Sequence, residues 1–331
     1  MVEENLKYPI KFHPILQEKI WGGTKLVTDF NKVSDSKKIG ESWEISGLEG
    51  WVSEVSNGEL KGCTLTQIVK KYGKELLGEK VYNNFGGDFP LLFKFIDASD
   101  DLSVQLHPND ELAKYRHNSF GKTEMWYVLD ATEDSKLYAG FSKQYDKESY
   151  LKKIDSEGIL DMVHVDSIKK GDSFFIEVGT IHAIGKGALI AEIQQTSNIT
   201  YRIYDWDRVD NNGNTRELHT DLALDALDFS KVGSCKIDYE TKLNQSVNIC
   251  TCKYFTTNKL VINKDLQIEL SSRDSFLVYM CVEGDAIITI NDNSEEIKKG
   301  ESVLIPACVD KIDFSTNKKA SLLEIYIENE K

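Results

Sequence analysis

The chain has 331 residues, with 40 Lys and Arg against 54 Asp and Glu, so its formal net charge is −14. Its hydrophobic fraction of 40% is typical of globular proteins, and its length is enough for about two or three domains. An acidic chain is a poor non-specific nucleic-acid binder, because such affinity depends on Lys and Arg neutralising phosphates. No apolar run approaches the ~20 residues of a membrane span.

The N-terminal segment and the cysteines indicate the compartment. The opening segment, MVEENLKYPIKFHP, lacks the basic and then apolar stretches of a secretory signal. Six cysteines are scattered along the chain without a CxxC pair. We therefore expect a cytoplasmic protein with reduced thiols and with neither a nucleic acid nor a membrane as partner.

Short β-runs separated by Gly, Asp and Asn dominate the predicted elements, which favours an all-β sandwich or barrel with helical insertions. Neither GxGxxG nor GxxxxGK[ST] occurs, which argues against dinucleotide and P-loop folds. In chain order the predicted elements are a helix at 65–76, strands at 91–98 and 102–107, a short helix capped by Asn109, a strand at 123–131, a helix capped by Asp146, strands at 172–178, 188–196 and 200–204, a helix at 220–227, and strands at 276–282, 286–291 and 302–305.

An internal sequence repeat suggests two copies of one β unit. Residues 168–176 (IKKGDSFFI) recur as 297–305 (IKKGESVLI), 129 positions later, and YVL at 127–129 resembles YMC at 279–281, 152 positions later. Chance recurrence in a Lys-rich chain is the alternative. The second copy has Lys311 where the first has His182, so a metal site that uses His182 would be missing from it.

Polar side chains alternate with apolar ones on two predicted strands. Ser103, Gln105 and His107 share one strand face, and Lys122 and Glu124 share a face at the beginning of the next strand. If both faces line a barrel interior, these buried groups need a compensating partner such as a metal or a bound anion.

His182 follows a predicted strand and turn, a position from which it can supply a third ligand. Imidazole and carboxylate suit Zn²⁺, and the amide oxygen of Gln105 can complete the set. The alternative is that the histidines are hydrogen-bonded structural residues and that Lys-x-Glu forms a solvated strand face.

A second group of polar residues lies downstream. Glu192 and Gln194 share a strand face, and Arg202 follows ten positions after Glu192. One interpretation is an Arg202–Glu192 pair across neighbouring strands, and the other is a catalytic carboxylate with a cation that meets an anion. Lys94, between two phenylalanines, either binds an anion such as phosphate or extends to solvent from an edge strand.

Four motifs in order resemble the signature of type I mannose-6-phosphate isomerases. They are QLHP at 105–108, GKTE at 121–124, GTIH at 179–182, and the pair of Glu192 and Arg202. Three further segments resemble the shorter bacterial subgroup of that family: FHP…WGG at 12–23, GESWEIS at 40–46, and DWDRVDNNGNTRELH at 205–219. The resemblance runs over nearly the whole chain.

The resemblance implies two jelly-roll-like cupin barrels, the second of them degenerate. The N-terminal metal-binding cupin would span residues 1–235, with helical insertions at about 62–85 and 143–163, and the C-terminal cupin would span residues 236–331. One Zn²⁺ ion per chain would lie in the first cupin.

The resemblance also assigns roles to individual residues. Arg202 matches the catalytic arginine of the family, and Glu192 matches a carboxylate proposed as the proton carrier. Lys94, Ser103 and Lys122 match residues that hold the sugar phosphate. The zinc ligands would be Gln105, His107, Glu124 and His182.

The implied reaction is the zinc-dependent interconversion of mannose 6-phosphate and fructose 6-phosphate through an enediolate. Glu192 is the expected base, with water held at the metal as the alternative, and Arg202 would stabilise developing charge. Two other classes stay open. One is a metal cupin that performs oxygenase chemistry with iron, and the other is a non-catalytic sugar-phosphate-binding protein.

Overall fold

The strands are short and succeed one another closely along the chain. The computed structural model describes residues 6–156, 158–209 and 213–328. Within these residues the strands are β1 (Ile15–Gly23), β2 (Ile39–Ile45), β3 (Leu91–Asp97), β4 (Val104–Leu106), β5 (Glu124–Asp130), β6 (Lys136–Phe141), β7 (Val163–Ser167), β8 (Ser173–Ile176), β9 (His182–Ile184), β10 (Leu189–Gln195), β11 (Tyr201–Tyr204), β12 (Lys236–Ile237), β13 (Ser246–Thr251), β14 (Thr256–Ile262), β15 (Leu266–Glu269), β16 (Leu277–Glu283), β17 (Asp285–Ile290), β18 (Asn293–Lys298), β19 (Ser302–Ile305), β20 (Lys311–Ser315) and β21 (Ala320–Tyr326).

Helices are fewer, and the predicted all-β class with helical insertions is confirmed. The four predicted helices are present, and the first is divided between two short ones at Gly73, where φ is +44°. In the described residues the helices are α1 (Lys25–Thr28), α2 (Leu65–Tyr72), α3 (Lys74–Leu77), α4 (Glu79–Phe85), α5 (Asp110–His117), α6 (Lys147–Ser156) and α7 (Thr220–Ala226), with a 3₁₀ turn at Ile159–Asp161.

The first sandwich comprises β1–β12. One of its sheets has seven strands in the order β1-β2-β3-β10-β5-β8-β12, and the other has five in the order β11-β4-β9-β6-β7, counted over the described residues. The facing sides of the two sheets share a core that includes Trp126, Val128 and Ile190 from one sheet and Leu137 and Ile184 from the other. At one end this interior becomes polar, and the candidate site lies there.

The second sandwich comprises β13–β21. Its two sheets, again over the described residues, have the orders β13-β14-β21-β16-β19 and β15-β20-β17-β18. Its five-stranded sheet packs back to back on the seven-stranded sheet of the first sandwich, where Phe93, Met125 and Ile193 share a core with Met280 and Ile325. This packing explains why β3 is buried along its whole length.

The repeated segment forms β8 in the first sandwich and β19 in the second, but the predicted offset of 152 positions between YVL and YMC is wrong. Ser173 of β8 pairs with Tyr127, whereas Ser302 of β19 pairs with Met280. The strands β5 and β16 are therefore related by 153 positions rather than 152. A shift of one residue moves every side chain to the opposite face, so the correction changes which residues match.

In the corrected register, Leu277 takes the place of Glu124, and Lys311 takes the place of His182. Leu277 is buried and apolar, and Lys311 is exposed at the beginning of β20. The second sandwich thus has no carboxylate or imidazole at these two positions, as expected for a degenerate copy.

The predicted division at residue 235 falls within a paired region. Lys236 and Ile237 form β12, which pairs with β8 at the edge of the first sandwich. Division into residues 1–235 and 236–331 stays a prediction. Part of the predicted segments lies outside the described residues, namely 157 in the second insertion and 210–212 in the 205–219 motif.

Two further findings concern the membrane and the thiols. Among the residues that the structure describes, no helix is both long and apolar enough to cross a bilayer. The six cysteines all lie in described segments and form no disulfide bond with one another.

Candidate active site

His107, Glu124 and His182 converge between the two sheets of the first sandwich. His107 directly follows β4 and His182 begins β9, both in the five-stranded sheet, whereas Glu124 begins β5 in the seven-stranded sheet. The polar faces predicted for β4 and β5 therefore meet across the interior of the sandwich. Both strand faces point inward, as expected for a barrel interior.

The three side chains can reach a common centre. His107 Nε2 lies 3.6 Å from Glu124 Oε2, and His182 Nε2 lies 3.4 Å from Glu124 Oε1. One potential ligand atom from each residue lies within 4.8 Å of the others, and all three side chains are buried. These separations allow one small cation to bind all three residues.

Backbone carbonyls orient both imidazoles. His107 Nδ1 lies 2.8 Å from the carbonyl oxygen of Ile199, and His182 Nδ1 lies 2.9 Å from that of Thr180. If each Nδ1–H donates to its carbonyl, the lone pair of each Nε2 faces the cluster. Histidine ligands of metals characteristically use such a partner on the second nitrogen.

The protonation of the cluster fits a divalent cation. Burial lowers the pKa of His182 to about 4 and that of His107 well below its usual value, so both imidazoles are neutral ligands near pH 7. Burial also raises the pKa of Glu124 to about 8, although Lys122 acts in the opposite direction. Glu124 Oε2 makes no well-aligned hydrogen bond to the described residues, and Lys122 Nζ, at 3.4 Å, is a charged neighbour. A cation would favour the carboxylate form, and the two nitrogens and one carboxylate suit Zn²⁺.

Gln105 lies beside this cluster. It pairs with His182 across β4 and β9, and its Nε2 is 3.5 Å from His182 Nε2. Its Oε1 accepts a hydrogen bond of 3.1 Å from Ser103 Oγ. The amide would therefore have to turn over for its oxygen to bind a metal, whereas the other three predicted ligands need no such change.

Lys122 also contacts the cluster, from the coil before β5. Its Nζ lies 3.4 Å from Glu124 Oε2 and 3.3 Å from His107 Nε2, and its side chain is buried. The sequence placed Lys122 on a strand, but β5 begins only at Glu124. A buried ammonium at this place adds positive charge to the site.

Glu192 lies on β10 between two donors from neighbouring strands. Lys94 Nζ on β3 is 2.9 Å from Glu192 Oε1, and Trp126 Nε1 on β5 donates to Oε2 at 3.1 Å. Burial opposes ionisation of Glu192, but Lys94 and Lys122 outweigh it and lower the pKa of this carboxyl. Glu192 is therefore a buried carboxylate that is ionised near neutral pH.

The edge-strand alternative for Lys94 is wrong. Lys94 lies on β3, between β2 and β10, and its side chain is 4% exposed. Its second acidic neighbour is Glu41, whose Oε2 lies 3.9 Å from Lys94 Nζ. Burial lowers the pKa of Lys94, but Glu192 and Glu41 outweigh this and raise it, so the side chain stays an ammonium.

Arg202 faces Glu192 from the opposite sheet. It lies on β11 and pairs with Gln105 of β4, whereas β10 belongs to the seven-stranded sheet. Of the two interpretations of Arg202 and Glu192, the pair across neighbouring strands is therefore wrong. Arg202 donates through Nη1 to the carbonyl of Glu217 at 2.9 Å. Its buried Nε has no hydrogen-bond partner in the described part of the chain and is available to a ligand.

A cavity of about 300 Å³ connects these groups. Seven of the nine predicted site residues line it: Lys94, Ser103, Gln105, Lys122, His182, Glu192 and Arg202. His107 and Glu124 are not among its lining residues, but potential ligand atoms of both lie within 4.8 Å of one on His182.

Sequence reasoning assigned no role to several residues that line the same cavity. They are Lys19, Trp21, Glu41, Asn198, Thr200 and Arg216. Four of them, Lys19, Trp21, Glu41 and Arg216, lie in the segments 12–23, 40–46 and 205–219 that already resembled the family. Only that resemblance could have identified them as cavity residues, because their local sequence spacing does not differ from that of ordinary surface residues.

Comparison with known proteins agrees with this geometry. The catalytic domain of type I phosphomannose isomerase matches residues 10–138, and the cupin domain of mannose-6-phosphate isomerase matches residues 245–324. The chain is 34% identical to mannose-6-phosphate isomerase ManA of Bacillus subtilis, over 90% of this chain and 93% of that protein. It is 32% identical to the mannose-6-phosphate isomerase of Streptococcus mutans, over 92% and 95% of the two chains.

A solved structure extends the agreement to the fold. The crystal structure of the mannose 6-phosphate isomerase from Bacillus subtilis matches with a TM-score of 0.86 and 32% identity, covering 96% of this chain and 99% of that chain. The predicted cupin architecture is thereby confirmed. With these similarities over nearly its full length, the chain belongs to the family of type I mannose-6-phosphate isomerases.

Proposed function

We propose that the chain interconverts mannose 6-phosphate and fructose 6-phosphate by proton transfer between C2 and C1, using Zn²⁺ bound by His107, Glu124 and His182. The observation that carries this proposal is the ionised, buried Glu192 in the same cavity as the candidate metal cluster. An aldose–ketose isomerisation requires both a base next to the reacting carbons and an electrophile next to their oxygens.

Glu192 is the proposed base. As a carboxylate it would accept the proton from C2 of mannose 6-phosphate and return it to C1. In the reverse direction it would move a proton from C1 of fructose 6-phosphate to C2. Its contacts with Lys94 and Trp126 fix the position of both oxygens, so the side chain is held ready for transfer. A positioned base of this kind contributes about 10²–10⁴ in rate.

The metal ligands and Arg202 would stabilise the negative charge of the enediolate. Zn²⁺, when bound, supplies Lewis-acid polarisation of the substrate oxygens. His107, Glu124 and His182 would hold it, with Gln105 as a fourth ligand if its amide turns over. The guanidinium of Arg202, with its free Nε, would donate to the same charge from the opposite sheet.

The cavity also provides a cationic environment for the phosphate group. Lys94, Ser103 and Lys122 line it, and we assign them to holding the sugar phosphate, as the resemblance implies. The positive charge of Lys94 and Lys122 is needed because a dianion must enter a protein of formal charge −14. Binding energy from the phosphate then positions the reacting carbons.

A coupled-enzyme assay tests the proposed function. The purified protein is assayed for conversion of mannose 6-phosphate to fructose 6-phosphate as isolated, after chelation, and after reloading with Zn²⁺. We expect loss of turnover on chelation and recovery with zinc. Turnover that requires both iron and oxygen would support the oxygenase alternative. Tight sugar-phosphate binding without proton exchange at C2 would support the non-catalytic alternative.

A further inference from the structure

One carboxylate outside the cavity contacts both segments that carry candidate ligands. Asp110 begins α5, three residues after His107. Its Oδ1 accepts a hydrogen bond of 3.0 Å from the backbone N–H of Gly121, which begins the segment leading to Glu124. The segments approach so closely here that a Cβ on Gly121 would lie 2.8 Å from the backbone nitrogen of Asp110.

A glutamine joins the same carboxylate to the strand that begins with Glu124. Gln195 Nε2 donates to Asp110 Oδ1 at 2.9 Å, and Gln195 Oε1 accepts from the backbone N–H of Thr123 at 2.9 Å. Gln195 and Thr123 are both buried. Asp110 and Gln195 together therefore hold two backbone N–H groups of residues 121–124, on either side of Lys122.

The remaining oxygen of Asp110 is held from the second sandwich. Tyr254 lies in the turn between β13 and β14, and its hydroxyl donates to Asp110 Oδ2 at 2.6 Å. Burial and the neighbouring Asp110 carboxylate raise the pKa of Tyr254, so the hydroxyl remains a donor throughout the neutral range. Hydrogen bonds to a carboxylate are among the stronger ones in proteins.

From this chain of contacts we propose that Tyr254 of the second sandwich positions Lys122 and Glu124 through Asp110 and Gln195. Tyr254 is a positioning residue, since it touches neither the cavity wall nor the candidate ligands. The inference rests on the metal site proposed above. It implies that the second sandwich, the degenerate copy, helps to position the metal ligands of the first sandwich.

The principal test compares two tyrosine variants. Tyr254→Phe removes the hydroxyl that donates to Asp110. Tyr239→Phe is the matched control, because Tyr239 also follows residue 235, is also half-buried, and donates at 2.6 Å to the carbonyl of Gly171 in the first sandwich, away from Asp110. Each variant removes one tyrosine hydroxyl that contacts residues of the first sandwich.

Two readouts separate positioning from general stability. Zinc affinity is measured by competition with a chelator in the absence of substrate, and hydrogen exchange of the N–H groups of residues 121 and 123 is measured in the metal-stripped protein. In Tyr254→Phe we expect zinc affinity to fall about 5-fold and exchange at both positions to accelerate, with a fall in kcat larger than any change in KM. Tyr239→Phe should leave all three unchanged.

Changes at Asp110 test the intermediate link. Asp110→Ala should weaken zinc binding at least as much as Tyr254→Phe, and the two changes together should not add, because they break one chain of contacts. Asp110→Asn keeps an oxygen that can accept from both the Gly121 backbone N–H and Gln195 Nε2. This variant should therefore recover most of the zinc affinity that Asp110→Ala loses.

Equal zinc affinity and equal exchange in Tyr254→Phe and Tyr239→Phe would overturn the proposal, as would strict additivity with Asp110→Ala. Because zinc affinity and exchange need no turnover, a failure of the proposed isomerase activity would be recognised separately.

Discussion

Glu192 receives its two partners from strands that lie on either side of β10. Lys94 and Trp126 both pair with Glu192 in the sheet register, so all three side chains point to the same face. Ionisation of the carboxylate thus depends on a neighbouring ammonium and an indole N–H rather than on exposure to water. This arrangement supports the role of Glu192 as a base that is ready at neutral pH.

Glu192→Gln tests the proposed base while keeping the size of the side chain. We expect kcat to fall by about 10²–10⁴ because the amide cannot accept the proton. Zinc content should not change, since Glu192 is not among the proposed ligands. A variant that keeps more than a third of the wild-type kcat would remove Glu192 from this role.

Lys94→Met tests which partner keeps Glu192 ionised. Lys94 lowers the pKa of Glu192, so its removal should raise that pKa. The acid limb of the kcat/KM profile should therefore move to higher pH, because the active form is the carboxylate. If Lys94 only holds the phosphate, KM will rise and the acid limb will stay in place. Kinetics measured from about pH 5 to about pH 9 distinguish the two outcomes.

For individual residues, the sequence predicted which strand face a side chain lies on better than it predicted which side chains are in contact. Alternation alone placed Ser103, Gln105 and His107 on one side of a strand, and the cavity and the metal cluster agree. It could not identify Lys94 as the partner of Glu192, because neighbours within a sheet depend on the strand order and not on distance along the chain. For that reason one of the two interpretations of Glu192 and Arg202, a pair across neighbouring strands, was wrong.

Among the elements, the helices were easier to predict than the strands. Asn109 and Asp146 accept backbone N–H bonds at the beginning of α5 and α6, as their sequence positions indicated. The strands β1 (ILQEKIWGG) and β18 (NSEEIK) were missed, because both carry charged residues and neither alternates regularly. Pairing with neighbouring strands stabilises these segments, and such pairing leaves little trace in local sequence.

A buried lysine on β14 predicts a measurable dependence of stability on pH. Lys259 Nζ lies 2.8 Å from the hydroxyl of Tyr127, across the contact between the two sandwiches. Burial lowers the pKa of Lys259 to about 7, against the opposing effect of Glu283. Between this pKa and the unfolded value of about 10.5, the unfolded chain binds the additional proton, so the free energy of unfolding rises with pH in this window.

Lys259→Met should remove this contribution. We expect the variant to be more stable than the wild type at pH 7 by a few kcal/mol, on the order of 1.4 kcal/mol for each unit of pKa shift, and the difference to shrink toward pH 10.5. Chemical denaturation of both proteins at several pH values measures it. A difference that does not change with pH would show that Lys259 is charged in the folded protein.

At the scale of the whole molecule, the two sandwiches share a core where they pack together, and among the described residues the candidate metal cluster lies in the first sandwich alone. The sequence repeat predicted this asymmetry through His182 and Lys311, and the corrected register adds Leu277 in place of Glu124. The back-to-back packing was not predictable, because the outer face of a sheet that is buried on both sides differs little in composition from its inner face. The Tyr254 contact follows from that packing.

If His107, Glu124 and His182 together bind the catalytic metal, a zinc ion must lie among them in the active protein. Anomalous X-ray scattering at the zinc edge, from crystals of the zinc-loaded, active protein, locates that ion. We predict one strong peak at about 2.0–2.2 Å from Nε2 of both histidines and from the Glu124 carboxylate. A fully active protein whose zinc peak lies elsewhere, with no peak among these three side chains, would contradict the account.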